Sequence, residues 1–176
     1  MKKSVLRYGG YAALAELIFF VLTWLFIWAF APSHKVQGYI GWVDLLCPLV
    51  FVYLGIRYYR DKVNNGNISF LQALKVGVLI VLVPALAYAL IETIFALYIE
   101  PDFYDKLAKY DIEQYRKTLS AAQLDAKIKA INKQLVMNKN PFFNFTAMVL
   151  VITSLGVIVT IVSSLLLKQQ NKEQSA

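Results

Sequence analysis

Four apolar runs constrain this chain more than any other feature: approximately Tyr8 to Phe30, Tyr39 to Ile56, Phe70 to Ile99 and Phe142 to Leu167. A helix needs about 20 mostly apolar residues to cross a bilayer core, and each run approaches or exceeds that length. They are too long for membrane barrel strands of about ten residues and lack strict alternation, so they predict helices. Of 18 basic and 11 acidic residues among 176, only Glu16, Asp44, Lys75 and Glu92 fall inside the runs. With 59% hydrophobic and 16% charged residues, the composition disfavours a water-soluble globule and, more strongly, a disordered chain. The expected fold class is an all-α membrane protein with four transmembrane helices, a single four-span domain over residues 1–176.

The third run exceeds a bilayer's need, so it should tilt, bend at Pro84 or project from the membrane. Pro48 predicts a similar bend in the second run. Met1-Lys2-Lys3, an apolar stretch and Ala29-Phe30-Ala31 resemble a secretory signal. The long apolar stretch, Glu16 within it and Pro32 after it favour a retained span instead. Cys47, the single cysteine, lies in an apolar segment, so it forms no intrachain disulfide and is expected to serve packing.

Residues 101–140 form a polar insert between the third and fourth runs. Phe103, Leu107 and Tyr110, then Leu124, Ile128, Ile131 and Leu135, recur every three or four positions, the pattern of amphipathic helices. The phase breaks near Ser120, where Ser120-Ala121-Ala122-Gln123 reads as a capping box. The expectation is a helical hairpin whose apolar stripe packs on its own partner arm or the membrane surface, or docks another protein.

Lys2, Lys3 and Arg7 precede the first span, and Arg57, Arg60 and Lys62 crowd the loop after the second. The loop after the first span holds only His34 and Lys35. The positive-inside rule therefore assigns both termini, including Lys168 and Lys172, to the cytoplasm. Trp28 and Trp42 would then share the outer interface, and Tyr58 and Tyr59 the inner one. The basic insert on the outer side runs against the rule, which long loops obey less strictly.

Ionisable residues in a bilayer are costly, and each is a functional candidate by default. Lys75 is placed to snorkel to phosphate. Glu16 shares a face with Gly9, Ala13, Phe20 and Thr23, and Glu92 with Ala85, Tyr88, Ala89 and Ala96. Small neighbours allow close helix approach, so both acids should face the bundle interior. Asp44, nearer the outer end of its run, is expected to reach interfacial water. No basic residue lies at the depth of Glu16 or Glu92. They are protonated, hydrogen-bonded to Tyr, Thr or Ser, exposed to water, or occupied by a cation or proton path. Gly156, Thr160 and Ser164 form a further stripe of small residues for a neighbour within the chain or in a homo-oligomer.

No nucleophile and base can be paired on facing helices, and His34 has no ligand partners at metal spacing, so no catalytic residue, metal or cofactor is expected. The sequence carries no phosphate-binding glycine loop. Its +7 charge is dispersed, which suits orientation and anionic lipid better than nucleic acid. Asn67-Ile68-Ser69 and Asn144-Phe145-Thr146 match a glycosylation tripeptide that is frequent by chance.

The chain reads Arg7-Tyr8-Gly9 before the first span and Gly55-Ile56-Arg57-Tyr58-Tyr59-Arg60-Asp61-Lys62 in the second loop. Ile68-Ser69-Phe70-Leu71-Gln72-Ala73-Leu74-Lys75-Val76-Gly77 opens the third span, and Tyr98-Ile99-Glu100-Pro101-Asp102-Phe103 follows it. This arrangement resembles the domain of unknown function 4199 family, small four-span membrane proteins found mainly in Bacteroidetes-type bacteria. The resemblance implies an inner-membrane location and supplies no activity, ligand or catalytic residue. Physically, Ser69 should cap the third helix, while Gln72, Lys75, Arg57 and Arg60 lie where a lipid headgroup or partner would be met.

The functional expectation is a non-enzymatic scaffold that contacts the bilayer surface or another envelope protein through its insert. The alternative is a small oligomeric transporter or channel using Glu16, Asp44 and Glu92.

Overall fold

The structure is a computed structural model that describes residues 1–169; Lys172, assigned above to a cytoplasmic terminus, lies outside them. Among the described residues the chain is helical throughout, with one isolated antiparallel bridge between Ile68 and Gln169 and no strand. Four helices are long and apolar enough to cross a membrane: Lys2–Phe30, His34–Val63, Phe70–Ile99 and Pro141–Leu167. The first is α1. The second comprises α2 (His34–Leu46), a 3₁₀ turn at Cys47–Leu49, α3 (Val50–Tyr58) and a π turn at Tyr59–Val63. The third is α4 (Phe70–Ile94) with a π turn at Phe95–Ile99. Two shorter helices, α5 (Phe103–Arg116) and α6 (Ala121–Asn138), precede α7 (Pro141–Leu167).

Local chemistry accounts for the interruptions. Pro48 has no N–H and crowds the preceding turn, and the 3₁₀ segment falls on it. Asn65 and Gly66 adopt left-handed φ of 50° and 81°, where glycine avoids the Cβ penalty, and the Gly66 N–H donates to the Arg60 carbonyl at 2.8 Å. The Gln72 N–H donates to Ser69 Oγ at 3.2 Å and the Ser69 N–H to Gln72 Oε1 at 3.1 Å, a reciprocal box that starts α4. Ser120 and Gln123 make the same box at α6. Asn140 Oδ1 accepts from the Phe143 N–H at 3.1 Å, with Pro141 at the first helical position of α7.

Two compact units divide the chain: Met1–Tyr88 together with the chain from Val149, and Ala89–Met148. In the first, α1 packs against α2 and α3, and its buried residues are Ser4, Gly9, Ala12 and Glu16. The core gathers Leu49, Val52, Ile56, Ile80 and Val81 with Tyr8 and Leu155 packed against it. Lipid tails are as apolar as leucine, so close backbone approach must supply what the hydrophobic effect supplies in water. Glycines permit it. A Cβ on Gly77 would overlap the Thr160 side chain, and one on Gly156 would overlap Val81. The stripe of small residues on α7 is thus used within the chain. Outward, Trp28 is 77% exposed, Leu71 72% and Leu166 70%, an apolar surface that lipid satisfies and water does not. Cys47 is on this exterior too, not in the packed core expected of it.

In the second unit α5 and α6 contact each other. Leu124, Ile128, Ile131 and Leu135 are all half-buried, consistent with one inward stripe on α6. On α5 the inward face is one step from the expected one. Tyr104 and Ala108 are buried, whereas Leu107 is 41% exposed. Phe103 is half-buried and stacks edge-on against Phe95, with ring centroids 6.3 Å apart. Lys139 pairs with Asp105 at 2.7 Å, and Lys127 lies over the Tyr115 ring at 4.8 Å.

Candidate functional site

Glu92 and Thr93 come from the end of α4, Tyr104 from the first turn of α5 and Asn144 from the first turn of α7. All four are buried, with exposures of 7%, 7%, 5% and 1%. The Tyr104 hydroxyl donates to Glu92 Oε1 at 2.6 Å. Asn144 Nδ2 donates in turn to the Tyr104 oxygen and to the Asn138 carbonyl, the latter at 3.3 Å. Thr93 Oγ1 donates to Asn144 Oδ1 at 3.1 Å. One phenol thus bridges an acid and an amide from two different helices. The second carboxyl oxygen, Glu92 Oε2, is buried with no hydrogen-bond partner. A buried oxygen in that condition is the position where a proton or small cation would be accommodated at least cost.

Tyr104, Thr93 and Asn144 are absent from the sequence-based candidates. Tyr104, Ala108 and Tyr115 repeat at helical spacing beside the expected stripe, and only the fold distinguishes the two faces. In the sequence Asn144 stands out solely as the start of a glycosylation tripeptide, and its burial withdraws the amide from any such use.

The other two acids lie in the first unit. Glu16 on α1 is 2% exposed and Asp44 on α2 is 5% exposed. The Thr23 side chain hydrogen-bonds to Asp44. Glu16 Oε1 is buried without a hydrogen-bond partner. This corrects the expectation that Asp44 reaches interfacial water. Helix α2 starts at His34, five residues before the expected span boundary at Tyr39, so Asp44 sits ten residues into it, about 15 Å of helical rise.

The remaining candidates divide. Gln72 is exposed but engaged in the cap with Ser69, and Lys75 is exposed. Arg60 is 15% exposed and committed inward, with Nε 2.6 Å from Asp61 Oδ1 and a long contact to the Leu167 carbonyl at 3.4 Å. Arg57 is 57% exposed and only 3.6 Å from the same Asp61. At the start of the α5 region, Glu100 accepts from Lys106 at 2.7 Å and raises the lysine above its ordinary range. No cluster of three metal-ligating residues occurs among the described residues.

The family model described as "Protein of unknown function (DUF4199)" matches residues 7–169. No curated protein and no solved structure matches the chain.

Proposed function

The chain belongs to the DUF4199 family of unknown function, and on that premise we propose that it is a non-enzymatic multi-pass scaffold of the bacterial inner membrane. Its termini lie in the cytoplasm, and α5 and α6 form an amphipathic hairpin outside it that meets another envelope protein. The Tyr104 bridge carries this reading. A buried hydroxyl joined to Glu92 and Asn144 holds the base of α5 in one arrangement, as a presented surface requires and a slack linker does not.

Deleting residues 103 to 137 should abolish recovery of a crosslinked envelope partner while membrane insertion persists. An unchanged crosslink would refute the scaffold reading. A cysteine placed in the hairpin of a Cys47-free variant should react with an impermeant reagent in spheroplasts, and protection would reverse the orientation.

A second reading rests on the unpartnered Glu16 Oε1 beside Asp44. Two buried acids on adjacent helices suit proton or cation passage in a small transporter or channel. Ion flux in liposomes that disappears with Glu16→Gln, Asp44→Asn or Glu92→Gln would favour this reading over the scaffold.

A further inference from the structure

The basic residues at one end of the first unit are arranged as more than an orientation signal. This end brings together the start of α1, the π turn after α3, the start of α4 and the end of α7. The Arg7–Tyr58 contact, the Arg60–Leu167 hydrogen bond and the Ile68–Gln169 bridge join these segments. Basic side chains come from all four segments, whereas Asp61 is the single acid among the described residues there. Asp61 is already taken by Arg60 at 2.6 Å. Among the described residues Arg57 has only the longer 3.6 Å contact to it, and Arg7 has no carboxylate partner. Arg7 instead lies over the Tyr58 ring, 5.5 Å from its centroid, and one of its nitrogens donates to the phenol oxygen at 3.3 Å. That uses one of five guanidinium donors. The contact holds Arg7 beside the residue that follows Arg57 in the chain, and both arginines are exposed. Lys75, exposed in the second turn of α4, adds a further cation with a snorkelling stem.

We propose that this end of the bundle binds the phosphate of an anionic phospholipid headgroup through Arg7 and Arg57 beside Tyr58. The partner is identified by charge complementarity: two guanidiniums without a full carboxylate partner among the described residues match a phosphate, which accepts paired N–H donors. The apolar exterior of the neighbouring spans is already suited to the acyl chains. The inference is independent of the scaffold reading, since it involves neither α5 nor α6.

The test uses the full chain in mild detergent, titrated with short-chain phosphatidylglycerol and, separately, short-chain phosphatidylcholine, and read by native mass spectrometry. Phosphatidylglycerol should bind more tightly, and added salt should weaken it. Each arginine lost should cost about fivefold, so Arg7→Gln with Arg57→Gln should lower affinity by about 25-fold. The paired Arg→Lys variants keep the charge but lose the paired donors, so their affinity should fall between wild type and the double glutamine variant. Asp61→Asn, which releases both Arg57 and Arg60, should tighten binding, and this arm stands even if the glutamine variant fails to fold. Inorganic phosphate should not displace the lipid. Equal affinity for the two lipids, an unchanged preference in the folded double glutamine variant, no gain in Asp61→Asn, or displacement by phosphate alone would each overturn the assignment.

Discussion

In the first compact unit glycines lie where an added Cβ would overlap a neighbour: Gly77 against Thr160, Gly156 against Val81, and Gly55 against Ile80 and Tyr8. The second has no glycine; polar side chains join its helices, with Tyr104 buried between Glu92 and Asn144 and Lys139 on Asp105 at the surface. The first unit brings backbones together by omitting side chains; the second joins helices by satisfying buried polar atoms. The first substitutes for the hydrophobic drive that apolar surfaces lose when the surrounding solvent is lipid; the second meets the cost of leaving buried polar atoms unpaired. The difference shows in what each region tolerates. A glycine contact fails when volume is added, and a hydrogen-bonded contact fails when one partner is removed.

The largest test of that contrast adds volume to the first unit. Gly77→Val would drive a branched side chain into Thr160 and Ile56, both stiff β-branched residues, and should destabilise by about 3 kcal/mol or more in detergent-denaturation measurements. The matched control is Gly10→Ala, where a Cβ meets nothing within 4 Å; it should stay within about 1 kcal/mol of wild type. Equal losses at the two glycines would break the close-approach account.

Next comes removal of a partner in the second unit. Tyr104→Phe keeps the ring but strands Glu92 Oε1 and takes one acceptor from Asn144 Nδ2, and should cost about 1–2 kcal/mol with faster hydrogen exchange in α5. Glu92→Gln retains an acceptor for Tyr104 and should be milder than Glu92→Ala. If Tyr104→Phe leaves exchange in α5 unaltered, the bridge does not anchor that helix.

The smallest effect is electrostatic and exposed. Glu100 raises the Lys106 pKa, so the pair's small stabilisation is complete below the ordinary lysine value and is lost as pH rises through the folded value. NMR titration of Lys106 should show an alkaline midpoint that Glu100→Gln moves back down. An unmoved midpoint would assign the shift to another cause.

Much of the architecture is legible in the sequence because bilayer thickness converts apolar length directly into spans. The third run, Phe70 to Ile99, coincides with the helix, since Ser69 and Gln72 mark its start and Glu100-Pro101 its end. The second is less legible at its ends. His34, Lys35 and Gln37 are polar, so hydropathy places the boundary at Tyr39, yet the backbone is already helical. Asp44, ten residues into that helix, is buried at 5% exposure. The candidate site is read only in part. Glu16 and Glu92 stand out because charge in an apolar run is conspicuous, whereas Tyr104, Thr93 and Asn144 are ordinary residues in ordinary surroundings until tertiary contacts converge on Glu92.

The sequence by itself determines the helical class, the four membrane-capable segments, the caps at Ser69 and Ser120, and the burial of Glu16 and Glu92. Each follows from local composition or from a spacing of three or four residues. Only the tertiary structure decides which partners those acids take, which face of α5 turns inward, and which arginines remain available at the basic end. Such pairings join residues far apart in the chain. A single sequence carries no period or motif for them, because they depend on the relative rotation and depth of separate helices.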